Sequence, residues 1–73
     1  MTTKREPLAK RFGKALKIQI KRKGMTQSAF AEEMGYVNDE VIRRWIHDGI
    51  VKAETMDRIL DFFDMDFEEF LDL

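Results

Sequence analysis

The chain has 73 residues, no cysteine and one histidine, so neither a disulfide nor a zinc site can staple it and the core must hold by packing alone. Its formal net charge of −1 hides a segregation, with a balance of +8 over residues 1–24, −2 over 25–53 and −7 over 54–73. No apolar run nears the roughly 20 residues of a membrane span, and no signal-peptide pattern opens the chain, so a cytoplasmic protein without membrane contact is expected.

Residues 1–7 read as a basic, poorly ordered tail that ends on Pro7, a residue suited to a first helical turn because its missing N–H costs nothing there. A helix is expected over Leu8–Lys23, with Phe12, Leu16 and Ile20 at i, i+4, i+8 as its buried stripe. Lysines and arginines cover the remainder. Ile18 falls off the stripe, as an exposed apolar residue or part of a second contact. Lys21, Arg22 and Lys23 suit the helix C-terminus, and with Lys14 and Lys17 they form a patch able to attract phosphates without reading sequence. Gly24 ends the helix.

Residues 26–49 carry the strongest pattern: a short helix, a turn opened by a glycine, and a second helix closed by a glycine. Thr26 suits the cap of the first helix and Asn38 the cap of the second. Phe30, Ala31 and Met34 share one face of the first helix; Val41, Ile42, Trp45 and Ile46 form a stripe on the second. Gly35 sits where a left-handed residue turns the chain sharply. This is the layout of a helix-turn-helix, whose second helix enters the major groove of DNA. A fourth helix is expected over Glu54–Phe63, with Met56, Ile59, Leu60 and Phe63 buried and Phe62 off the stripe. Asp66 and Glu69 have the spacing of a capping box that starts a last short helix through Leu71. With no β alternation and no repeat, the expectation is an all-α fold of five helices, a single domain over residues 8–73.

The ordered set Gly24-Met25-Thr26-Gln27, Ala31 and Gly35, then Ile42 and Trp45, then the closing helices, resembles the phage-repressor and Cro-like (XRE) helix-turn-helix family. The resemblance covers nearly the whole chain. It implies a compact five-helix domain of the lambda-repressor type and a sequence-specific, double-stranded-DNA-binding transcriptional regulator that commonly acts as a homodimer. Two spacings depart from the family pattern. The turn between Gly35 and Ile42 is one residue longer, and Gly49 lies four residues after Trp45 instead of three. The run Arg43-Arg44-Trp45-Ile46-His47-Asp48-Gly49 is also similar to the Arg-Arg-Trp-Ile-x-x-Gly of excisionase and MerR-like modules, which usually continue into a β-hairpin; no strand signal follows Gly49.

On the second helix Asp39, Glu40, Arg43, Arg44 and His47 face away from the apolar stripe. Arg43 and Arg44 have the fork that reads guanine O6 and N7, a contact worth roughly 1–3 kcal/mol of discrimination; the plain alternative is that Glu40–Arg44 and Arg43–His47 are ordinary i,i+4 neighbours. Asp39 and Glu40 favour the positive end of their helix, and there they either accept from cytosine N4 amines or keep the helix off DNA. The candidate DNA contacts are therefore Gln27, Asn38, Asp39, Glu40, Arg43, Arg44 and His47, with Lys21, Arg22 and Lys23 on the phosphates. The resemblance places Gln27 on the backbone or an adjacent base.

Phe62, Phe63, Phe67 and Phe70 crowd the acidic end, more aromatic surface than so small a core is expected to bury. Phe62, Phe67, Phe70 and Leu73 are the expected homodimer surface; a surface for another protein is the alternative. His47 and Asp48 are sequence neighbours expected to point apart. No nucleophile pair, phosphate loop or metal spacing appears, so no enzyme, cofactor, metal or small-molecule substrate is expected. The competing readings are an excisionase-like architectural DNA binder and an antirepressor-type protein-interaction module that leaves DNA alone.

Overall fold

The computed structural model describes residues 6–72. Five helices follow one another: α1 Leu8–Arg22, α2 Gln27–Glu33, α3 Glu40–Asp48, α4 Ala53–Phe63 and α5 Phe67–Leu71. The fold is all-α, with no strand among the described residues. The expected disordered tail falls largely on residues 1–5, and Leu73 of the expected dimer surface stands with them outside the described residues.

Local chemistry starts α2 and α5 where the capping side chains take up free N–H groups. Thr26 accepts from the Ala29 N–H at 3.0 Å, and Asp66 and Glu69 complete a reciprocal capping box. The start of α3 differs from expectation. Asp39 occupies the capping position without a side-chain bond, while Asn38 Oδ1 accepts from the Glu40 N–H at 2.9 Å. Asn38 therefore satisfies the end of α3 from one residue further out, through a turn of the Asx kind. The longer connection absorbs the extra residue and leaves Val37 fully exposed.

The core is built from Phe12, Ala15, Leu16 and Ile20 of α1, Phe30 and Ala31 of α2, Ile42 of α3, Ile50 of the connection that follows it, Ile59 and Phe63 of α4, and Phe70 of α5. All six phenylalanines join one chain of ring contacts. Phe67 and Phe70 stack on Phe12 at 5.9 and 4.5 Å, Phe70 meets Phe63, Phe63 stacks on Phe30 at 5.6 Å, and Phe62 sets its edge to Phe30 at 5.0 Å. Of the four rings at the acidic end, Phe63 and Phe70 are buried and Phe62 and Phe67 are half-buried against them, so only Phe70 of the expected dimer surface is fully enclosed. Paired rings of this kind add about 0.5–1.5 kcal/mol each beyond their burial.

One crossing fixes α3, and it was not anticipated. Gly13 lies against the C-terminal half of α3 so closely that a Cβ there would stand 2.3 Å from the Trp45 carbonyl oxygen. At the end of α3, Gly49 turns with φ +97°, and its own Cβ would meet the Ala9 carbonyl at 2.8 Å. The next residue then ties back, with the Ile50 N–H donating to the Ala9 carbonyl at 3.1 Å. Two positions without side chains let the backbones of α1 and α3 touch. A second clamp holds α2: Arg58 of α4 donates to the Met34 carbonyl at 3.0 Å and lies over the Tyr36 ring, which in turn meets Trp45 edge-on.

Candidate nucleic-acid interface

With Ile42 buried and Val41, Trp45 and Ile46 half-buried, α3 leaves Glu40, Arg43, Arg44, His47 and Asp48 exposed. The two arginines are not equivalent. Arg43 Nε lies 3.5 Å from the Asp39 carboxylate, one turn back. The pairing expected for Arg44 with Glu40 does not form; Arg44 is exposed and held by no ion pair or hydrogen bond among the described residues. The intrahelical partner therefore falls to the neighbouring arginine. His47 and Asp48 also differ from expectation. They do not point apart: Nδ1 and the carboxylate approach to 2.7 Å at the exposed end of α3.

The basic residues of α1 divide by helical phase. At about 100° per residue, Lys10, Lys14, Lys17 and Lys21 recur at i, i+4, i+7, i+11 and line one groove with Ile18, Ile46 and His47. Lys17 and Lys21 also border the start of α2, sharing a hollow with Thr26 and the half-buried Gln27. Lys14 is tied to Glu6 at 2.7 Å. That salt bridge holds the Glu6 carboxyl below its ordinary range, chiefly through the hydrogen bond from Lys14. Arg22 and Lys23 turn the other way. They border a hollow with Gln19, Phe63 and Met65, and Lys23 lies 5.5 Å over the Phe62 ring. The run Lys21-Arg22-Lys23 is therefore split by the helix, and only Lys21 stands beside α3. Lys10 belongs to this stripe as well, by the four-three-four spacing of the lysines at 10, 14, 17 and 21.

The aromatic end gives a similar sorting. Phe70 is fully enclosed and cannot be part of a surface. Phe62 and Phe67 are half-buried and already occupied by ring contacts within the chain. Gln19, unremarked in the sequence, is 2% exposed, and its amide donates to the Phe70 carbonyl at 3.0 Å, fastening α5 to α1.

A lysine stripe, the capped start of α2 and the outward side of α3 thus lie together on neighbouring elements. This combination is that of a helix-turn-helix DNA-binding domain, in which cations position the duplex and the second helix meets base edges. The helix-turn-helix family model matches residues 16–70, and the chain belongs to that family, of the XRE type. It is accordingly a DNA-binding transcription regulator in class, in a family of regulators and not typically of enzymes. No curated protein and no solved structure matches the chain. No described helix is long and apolar enough to cross a membrane.

Proposed function

We propose that the chain reads a specific operator sequence, as a repressor or Cro-like regulator of the phage or mobile-element kind, with Arg44 as its principal base contact. The observation that carries this reading is the exposed Arg44 on α3, unclaimed among the described residues, on the helix that also borders the lysine groove of α1. Lys10, Lys17 and Lys21 supply the phosphate contacts, Gln27 and the start of α2 fix the register, and Arg43 acts once its contact with Asp39 is exchanged for DNA. Glu40 restricts the sequences accepted at the start of α3, as an acceptor from cytosine, while Asp39 holds Arg43 back until a duplex replaces it. Two copies meet on neighbouring half-sites of the operator. With Phe70 enclosed and its neighbours engaged, pairing depends on the duplex more than on an aromatic dimer face. The site of action is the cytoplasm or nucleoid.

The start of α4 at Ala53, soon after α3 ends at Asp48, leaves no space for a hairpin wing and supports the Cro-like reading over the excisionase-like one. One observation favours the protein-interaction reading instead, the Asp39 carboxylate seated on Arg43.

Selection from random-sequence duplexes, run with the native chain and with Arg44→Glu and Arg43→Glu, tests the proposal. An enriched site with two half-sites, lost with Arg44→Glu and weakened with Arg43→Glu, is the expected result. Native protein that enriches nothing at low salt would overturn it, as would enrichment that survives Arg44→Glu.

A further inference from the structure

Opposite charges in this molecule are concentrated on two faces, one of α1 and one of α4. On α1 the stripe Lys10, Lys14, Lys17, Lys21 lies across the helix from Phe12 and Gln19, the residues that meet α5. On α4 the exposed acids Glu54, Asp57 and Asp61, continued by Asp64 at its end, lie across the helix from Ile59 and Phe63, which enter the core. Glu6–Lys14, Asp39–Arg43 and His47–Asp48 are ion pairs between segments close in sequence, and Arg22 is engaged as well. None links a lysine of α1 to an acid of α4 or α5. An ordinary solvated surface intersperses its signs; this one separates them. The lysine groove also has an apolar bed, Ile46 and the 38% exposed Ile18, which a phosphate backbone does not require.

We propose that the lysine groove of α1 receives the acidic stripe of α4 from a second copy of this chain, in a head-to-tail association of the DNA-free protein. The charge balance of +8 in residues 1–24 against −7 in residues 54–73 makes the two ends complementary. The spacing matches as well. Asp57 and Asp61 repeat the four-residue step of Lys10 and Lys14 and of Lys17 and Lys21, so two helices laid side by side bring carboxylates and ammoniums into the same rise along the axis. Ile18 and Ile46 then cover the aliphatic stems of the same lysines. Because the giving and receiving surfaces are different, the contact does not close on itself and further copies add at either end. Exposed pairs are individually weak and screened by salt, so the assembly belongs to low ionic strength and high protein concentration. A duplex would compete for the same lysines; this last consequence rests on the DNA-binding reading, whereas the association does not.

Sedimentation equilibrium without DNA is the test. At about 200 µM chain in about 0.01 M salt, where the Debye length is about 30 Å, the weight-average mass is expected to exceed the monomer by twofold or more and to rise with concentration. In about 1 M salt, where that length is about 3 Å, it returns to the monomer, which is 8.7 kDa. The paired variants Lys10→Glu/Lys17→Glu and Asp57→Lys/Asp61→Lys are each expected to stay monomeric alone, since like then faces like. Mixed in equal amounts they regain the association, because each now supplies the sign the other lacks. Should either double variant lose its helical circular-dichroism signal, the milder Lys17→Gln and Asp61→Asn chains are read for a partial loss of mass at low salt. A native chain monomeric at low salt, an association indifferent to salt, or a mixture no heavier than its components would overturn the proposal. None of these readings depends on whether the chain binds a duplex.

Discussion

Replacing Gly13 by alanine probes the crossing on which the α1–α3 geometry depends. The added Cβ would stand 2.3 Å from the Trp45 carbonyl oxygen and 3.3 Å from that of Ile46, both backbone atoms of α3 that no rotamer change can move aside. An ordinary contact needs the helices to part by about 1 Å, and overpacking of this kind costs typically about 1–3 kcal/mol. Parting also stretches the 3.1 Å bond from the Ile50 N–H to the Ala9 carbonyl, a loss of about 0.5–1.5 kcal/mol. Against this, alanine gains about 1 kcal/mol over glycine in a helix interior. The net expectation is a loss of about 1–3 kcal/mol. For a domain of this size each kcal/mol lowers Tm by about 4–8 °C. Urea unfolding followed by circular dichroism measures it, with the midpoint falling and the slope unchanged. Since α3 shifts relative to the lysines of α1, DNA affinity falls too. A variant as stable as the native chain, or more stable by the helix-propensity gain, would refute the close-crossing argument.

Three further outcomes follow from particular contacts. Gln19→Ala leaves the Phe70 carbonyl without its buried donor and is expected to cost about 1–3 kcal/mol by urea unfolding; a cost near zero would mean that α5 is held by its rings alone. Asp39→Asn releases Arg43 from an exposed i,i+4 pair and removes a carboxylate from the duplex, tightening binding by about 0.5 kcal/mol, or roughly twofold, in a fluorescence titration; weaker binding would show Asp39 accepting from a base instead. The Glu6 carboxyl, held down by Lys14, titrates below the usual glutamate range in a carbon-detected NMR titration and returns to it with Lys14→Gln. Because the folded value is the lower one, that tie contributes above the ordinary pKa of the carboxyl and is lost as pH falls through the depressed value.

Much of the fold was legible because short-range rules decide it. The 3.6-residue recurrence of Phe12, Leu16 and Ile20, and of Met56, Ile59, Leu60 and Phe63, marks helices whichever neighbours they meet. Thr26 and the Asp66/Glu69 box announce helix starts through hydrogen bonds that reach three residues at most. The turn at Gly35 needs positive φ, and its value is +93°. The candidate site was legible only as a set of residue types. Which arginine is claimed depended on one turn of phase: Asp39 reaches Arg43, and Glu40 does not hold Arg44. The run Lys21-Arg22-Lys23 looked like one patch along the chain but not around the helix.

Sequence alone determined the five helices, the core stripes, the sign of each third of the chain and the membership of residues 26–49 in a helix-turn-helix pattern. These are local or additive properties, and neighbouring residues suffice to express them. Tertiary structure decided three things that no local pattern carries. Gly13 and Gly49 proved to be the places where α1 and α3 touch, because close approach is a relation between segments more than 30 residues apart. Six phenylalanines proved to be linked by ring contacts, four of them buried and two half-buried at the edge, because packing depends on how α1, α2, α4 and α5 meet. And the lysines at 10, 14, 17 and 21 became one groove only when α3 was laid against α1, since a charge acts on a partner through the space it faces and not through its place in the chain.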